Sequence, residues 1–65
     1  MLFHMELNVE KIRNELKRLG KGPTWLATKC VVHRRTVHYW FENKTIKAAE
    51  RIAEVFNMDP KDLLK

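Results

Sequence analysis

Residues 23–43, PTWLATKCVVHRRTVHYWFEN, constrain the fold of this chain more than any other stretch. Proline at a first helical position has its φ already set for the helix and lacks only an N–H that would be unpaired there. Pro23 therefore predicts the start of a helix, with Gly22 as its N-cap. The inward face of this helix is an apolar stripe at helical spacing that consists of Leu26, Ala27 and Cys30.

A second helix is predicted to follow a tight turn at residues 31–33. Asn43 is expected to end this helix, because asparagine tolerates the left-handed conformation of a C′ position. Its inward face has the spacing i, i+3, i+4 and consists of Val37, Trp40 and Phe41. The side chains that then point away from the core are Arg34, Arg35, His38, Tyr39 and Glu42.

The two arginines in the first turn of the second helix indicate a ligand. The N-terminal end of a helix dipole favours negative charge, so Arg34 and Arg35 are badly placed for helix stability. Guanidinium groups suit phosphate and the O6/N7 edge of guanine, and the N-terminal residues of a helix in the major groove contact base edges. We therefore expect double-stranded DNA as the partner.

The flanking segments predict three further helices. Asn8 is a good N-cap for helix 1, and Gly20 should stop that helix. Thr45 should cap helix 4, and Asn57 should end it. Asp59 and the following proline should begin a single-turn helix 5. The apolar positions assigned to the core are Val9, Ile12, Leu16 and Leu19 in helix 1, and Ile46, Ala49, Ile52, Ala53 and Phe56 in helix 4.

These residues resemble the helix-turn-helix domain of the phage-repressor and Cro-like transcription regulators. The resemblance rests on Leu26-Ala27, Val32, Val37 and Trp40, and it extends to NMDPKDLL at residues 57–64. It implies an all-α, compact bundle of five short helices around a central helix-turn-helix, similar to the lambda repressor DNA-binding domain. It also implies a sequence-specific transcriptional regulator of phage or plasmid type that inserts residues 34–42 into the major groove.

Three positions depart from the family pattern. The family usually has glycine where this chain has Val31, and a β-branched residue with φ > 0 is a genuine outlier. Either the turn has a different shape or Val31 stores strain. The loop at residues 43–45 is shorter than in the family, and Pro23 stands where the family often has a glutamine that contacts phosphate.

Charge is concentrated around the predicted pair of helices. The chain has 65 residues and a net charge of +5. Residues 17–47 hold eight basic residues and one acidic residue, whereas residues 1–16 and 48–65 each hold one more acidic than basic residue. Such a distribution is typical of a surface that binds a polyanion. A basic face kept for solubility is the alternative.

The candidate DNA-binding residues follow from this surface. The His33 side chain is expected to cap the helix, contact phosphate or contact a base, and Lys21 either complements the dipole of helix 1 or contacts the DNA backbone. The expected base-contacting residues are His33, Arg34, Arg35, His38 and Tyr39. The expected backbone-contacting residues are Thr24, Lys29, Lys44, Lys47 and Lys21.

A single module of this size reaches useful specificity by binding two half-sites, so we expect a homodimer at least on DNA. Residues 1–7 alternate apolar and polar positions, which predicts either a short strand that pairs with its copy in a second protomer or a loosely packed arm. The candidate dimer surface comprises Phe3, Met5, Phe56, Met58, Leu63 and Leu64. The alternative function is a protein-interaction module, antitoxin-like or adaptor-like, on the same fold.

Length and composition exclude other classes. We expect one domain without an enzyme cleft, because 65 residues barely form a core. One cysteine cannot form an intramolecular disulfide, and no signal peptide or membrane span is evident, so a soluble cytoplasmic protein is expected. No cofactor or small-molecule ligand is expected. Cys30 faces inward and His38 outward, so we do not expect them to share a metal site with His33.

Overall fold

The computed structural model describes residues 5–65, which fold into four α-helices and one 3₁₀ turn. The helices are α1 (Val9–Arg18), α2 (Pro23–Cys30), α3 (Arg34–Asn43) and α4 (Ala48–Phe56), and the 3₁₀ turn is Pro60–Leu63. The all-α prediction is confirmed for this part of the chain. The predicted fifth α-helix is instead the single 3₁₀ turn.

In the described part of the chain α1, α2, α3 and the 3₁₀ turn begin where local sequence predicts, whereas α4 begins later. The Asn8 side chain accepts a hydrogen bond from the Lys11 N–H at 3.1 Å, and the Asp59 carboxylate accepts one from the Lys61 N–H at 3.0 Å. Gly22 is the N-cap of α2 and places the proline at its first turn. The Asn8 and Asp59 side chains satisfy backbone N–H groups that have no partner inside a helix, whereas Gly22 forms no side-chain cap hydrogen bond.

All four α-helices are followed by a residue in the left-handed region. At three of these ends the next N–H donates to a carbonyl five residues earlier, at 2.8 to 3.0 Å, and at the end of α3 the same bond is 3.2 Å long. This is the Schellman arrangement, which pairs carbonyls left free at a helix end. The left-handed residues, with their φ values in degrees, are Gly20 (69), Val31 (58), Lys44 (49) and Asn57 (57).

The end of α3 corrects one prediction. Asn43 was expected to adopt the left-handed conformation, but it belongs to α3, and Lys44 adopts that conformation. The Asn43 side chain instead donates a hydrogen bond to the Tyr39 carbonyl at 3.0 Å. The Thr45 N–H donates to the Trp40 carbonyl, which fixes the end one residue later than the preference of asparagine suggests.

Val31 stores backbone strain. It has φ 58 and ψ 46, and its side chain is 86% exposed. A left-handed conformation costs a residue with a Cβ about 1–2 kcal/mol, and exposure means that little burial offsets this cost.

We expect Val31→Gly to stabilise the fold. Glycine relieves the strain but loses more entropy on folding, so the net gain should be about 0.5–1 kcal/mol. That gain corresponds to a rise in Tm of roughly 2–8 °C for a domain of this size. Thermal unfolding followed by circular dichroism measures it, and Lys44→Gly, at the equivalent position after α3, is the matched comparison. A lower Tm for Val31→Gly would show that the turn does not hold a left-handed residue in solution.

The core lies where the four helices and the 3₁₀ turn meet. Its largest fully buried side chains are Leu7, Ile12, Leu26, Val37, Ile52 and Leu63. Two predicted core residues lie outside it, since Leu19 is 39% exposed and Ile46 is 47% exposed. α1 ends at Arg18, so Leu19 lies in the cap. α4 begins at Ala48 rather than after Thr45, so Ile46 lies in the connecting turn.

The segment before α1 pairs with the end of the same chain. Glu6 and Lys65 exchange two backbone hydrogen bonds of 3.0 and 2.9 Å, and Leu7 forms an antiparallel bridge with Leu64. The Asn8 N–H donates to the Leu63 carbonyl at 2.7 Å. Within residues 5–65 this pairing is an isolated bridge rather than a strand. Residues 1–4 of the predicted strand or arm lie outside the described residues, and pairing with a second protomer stays a prediction.

The candidate dimer residues differ in accessibility. Leu63 is fully buried in the protomer and offers no surface to a partner, which corrects its assignment. Met5 is 54% exposed. Phe3 lies outside the described residues. The others, partly buried against the core, are Phe56, Met58 and Leu64.

Candidate nucleic-acid interface

α3 has a buried face and an exposed face. Val37, Trp40 and Phe41 are buried in the core, as their spacing predicts. The residues proposed to contact bases are all exposed and lie at the start of α3 or on its outward side: His33, Arg34, Arg35, His38 and Tyr39.

The outward face of α3 is organised in two rows of residues four positions apart. Arg34 and His38 form one row, and Arg35 and Tyr39 form the other, so each arginine lies one helical turn before a second polar side chain. Within residues 5–65 neither arginine forms an ion pair. Two guanidinium groups are therefore presented to solvent at the N-terminal end of a helix dipole, which does not stabilise them.

His33 caps α3. Its Nδ1 atom accepts a hydrogen bond from the Arg35 N–H at 3.1 Å, and its backbone is extended, with φ −73 and ψ 148. An imidazole that accepts at Nδ1 in its neutral form carries its donor N–H at Nε2. Of the three roles considered for His33, capping is observed. The Nε2–H group is a donor suited to a phosphate oxygen.

Two lysines lie near the ring of Trp25 in α2: Lys21, two residues before the helix, and Lys29, within it. The lysine Nζ atoms lie 6.0 Å and 5.8 Å, respectively, from the centre of the Trp25 ring. The indole is partly buried against the core. Cation–π attraction holds both ammonium groups on this side of α2.

The other predicted backbone contacts are less uniform. Thr24 is exposed in the first turn of α2, where its carbonyl accepts a hydrogen bond from the Thr28 hydroxyl at 3.1 Å. Lys47 is exposed just before α4. The Lys44 Nζ atom lies 3.5 Å from the Glu6 carboxylate, so part of its charge is neutralised within the chain.

Arg13 joins this surface although sequence reasoning did not select it. Its guanidinium lies 5.0 Å from the centre of the Phe41 ring. With His38, Phe41 and Glu42 it lines a shallow pocket of about 430 Å³ between α1 and α3. Nothing in the local sequence of α1 indicates this, because the contact depends on how α1 packs against α3.

Arg18, at the end of α1, has a partner within its own helix. Its Nε atom donates to the Glu15 carboxylate at 2.8 Å, and its terminal nitrogen also pairs with that carboxylate. The hydrogen bond with Glu15 and its charge raise the pKa of Arg18. The pair and the helix dipole account for this arginine without a ligand.

Cys30 is buried where α2 meets α4. Burial raises the pKa of its thiol, Arg51 acts against this shift, and Glu54 adds to it. At neutral pH the group is a thiol, which is a weak nucleophile. Within residues 5–65 no three side chains of histidine, cysteine, aspartate or glutamate are grouped as metal ligands. None of the helices there has the length and apolar character that a membrane crossing needs.

No protein-family model, curated protein or solved structure matches this chain.

Proposed function

We propose that this protein is a sequence-specific regulator of transcription that binds double-stranded DNA. In this proposal α2 and α3 form a helix-turn-helix of the lambda repressor type, and α3 inserts into the major groove as in a small Cro-like repressor. The observation that carries the proposal is the pair of exposed arginines, Arg34 and Arg35, in the first turn of α3 without an ion pair in the described part of the chain. Guanidinium forks at that position suit guanine edges.

The surrounding charge supports the same partner. The basic excess in residues 17–47 places Lys21, Lys29 and Lys47 beside the α2–α3 pair. Ammonium groups act as point charges toward phosphate and fix a protein on the duplex without selecting sequence. The exposed Thr24 and the free N–H groups at the start of α2 add neutral donors for the same phosphates.

A homodimer completes the proposal. One module of this size contacts few base pairs, whereas two copies related by a two-fold axis contact half-sites roughly 10 base pairs apart. Of the candidate dimer surface, Met5, Phe56, Met58 and Leu64 keep some exposure in the protomer. Their contribution is tested by light scattering with and without the duplex.

Selection from a random duplex library by the purified protein at two salt concentrations tests the proposal. We expect an enriched palindrome and an affinity that falls steeply with salt, because bound phosphates release counterions. Lys47→Ala should weaken binding to selected and random duplexes alike and lower the salt slope by about one. Absence of any enriched sequence, with binding lost at physiological salt, would refute the proposal and favour a protein-interaction module.

A further inference from the structure

A groove runs along the surface between α2 and α4, and no residue of α3 lines it. Its volume is about 580 Å³. Its apolar walls are Trp25 and Val31 on the α2 side and Val55 on the α4 side. The buried Cys30, at the end of α2, also lines it. We call this surface the α2–α4 groove. Its volume falls within the range of sites that bind small ligands.

Val31 links this groove to the strained turn. The chain keeps a β-branched residue at a position where glycine or asparagine would relieve strain, and yet the side chain stays 86% exposed. The isopropyl group therefore gains little burial within the protomer. Strained backbone positions cluster at active sites and ligand-binding sites.

The rim of the groove is basic. Lys29 and Arg51 line it together with one acid, Glu54. The Lys21 Nζ atom does not line the groove, but it lies 6.0 Å from the centre of the Trp25 ring and adds a third cation near the rim. Apolar walls with three cations and one acid complement a ligand that combines apolar side chains with carboxylates. A nucleic-acid backbone would match the cations but would leave Val31 and Val55 without apolar partners.

We propose that the α2–α4 groove binds an acidic segment of a partner protein. The segment inserts an apolar side chain among Trp25, Val31 and Val55 and places carboxylates against Lys29 and Arg51. This interaction goes beyond DNA binding. No residue of α3 lines the groove, although Lys29, which does, is also one of the expected DNA-backbone contacts.

Fluorescence anisotropy with labelled peptides tests this proposal. The probe is a twelve-residue peptide in which aspartate and glutamate alternate with leucine and phenylalanine. Twelve residues correspond to about three turns of a helix. One control peptide replaces every leucine and phenylalanine with serine, and the other replaces every acid with its amide. We expect the probe to bind and each control to bind at least about threefold more weakly. Equal binding of the serine peptide would reduce the interaction to charge alone and overturn the proposal.

Two variants locate the site on the protein. Val31→Gly should weaken peptide binding at least about threefold, although it is expected to stabilise the fold, so unfolding cannot explain a loss. Lys44→Gly makes the same backbone change outside the groove and should leave peptide affinity unchanged. Arg51→Gln should weaken binding of the acidic probe and not of the amide control.

NMR chemical-shift mapping distinguishes the remaining outcomes. Peptide-induced shifts centred on Trp25, Val31 and Val55 support the proposal. Shifts centred on the outward face of α3, or no binding at millimolar peptide, overturn it. A single-stranded oligonucleotide that shifts the groove residues while the peptide does not would overturn it in favour of a nucleic-acid site. Duplex binding by Val31→Gly, measured in parallel, separates failure of this proposal from failure of the proposed DNA-binding function.

Discussion

Replacing Arg35 with alanine is expected to weaken binding to the selected duplex by about 1–3 kcal/mol, or roughly 5- to 150-fold. The Arg35 side chain is exposed in the first turn of α3, one turn before Tyr39. From that position a guanidinium can donate two hydrogen bonds to one guanine, and alanine donates none. The preference at one base pair should relax, which a competition series of single-base duplex variants measures.

Two control variants separate charge from base recognition. Arg35→Lys keeps the positive charge but loses the fork, so random duplex affinity should be retained while selected duplex affinity falls. Lys61→Ala removes one charge from the 3₁₀ turn and should change binding little. If Arg35→Ala lowers affinity equally for selected and random duplexes, this arginine contacts phosphate and not a base.

Leu7→Ala is expected to lower the free energy of unfolding by a large amount. Leu7 is fully buried in the core although it precedes the first helix. Truncating a buried leucine costs about 2–5 kcal/mol. A domain of this size has a free energy of unfolding of roughly 3–10 kcal/mol, so the change should remove a large part of it.

Urea unfolding followed by circular dichroism measures this loss. Met5→Ala, on the same segment but 54% exposed, is the control and should change the free energy of unfolding by less than about 0.5 kcal/mol. Similar small effects for both variants would mean that the segment before α1 does not pack on the core in solution.

Local chemistry explains which parts of the fold the sequence predicted. The caps at Asn8, Gly22 and Asp59 depend on residues within one helical turn, and all three are observed. The inward face of α3 was also predicted, because Val37 and Trp40 repeat at helical spacing and are buried. Periodicity and capping act over a few residues, so a single sequence suffices to detect them.

Some errors are local, and others concern contacts between residues far apart in the sequence. Ile46 matches the helical period of α4, but the helix begins two residues after it. The pairing of residue 6 with residue 65 leaves no periodic trace in the sequence. Neither does the contact of Arg13 with Phe41, which joins α1 to the candidate interface. Val31, in contrast, was detectable from the sequence, because a β-branched residue in a turn that usually has glycine indicated the backbone strain that is observed.

The pairing of the chain ends also bears on the order of folding. The bridge between Leu7 and Leu64 joins residues separated by nearly the whole described chain, whereas α2 and α3 are consecutive helices joined by a short turn. Closing a long loop carries an entropic cost that neighbouring helices do not face, so contacts between the ends should form after the helices have assembled. Leu7→Ala should then accelerate unfolding and leave the refolding rate nearly unchanged in stopped-flow experiments. The contacts between residues 6–8 and residues 63–65 would therefore form late in folding and slow the unfolding of the native state.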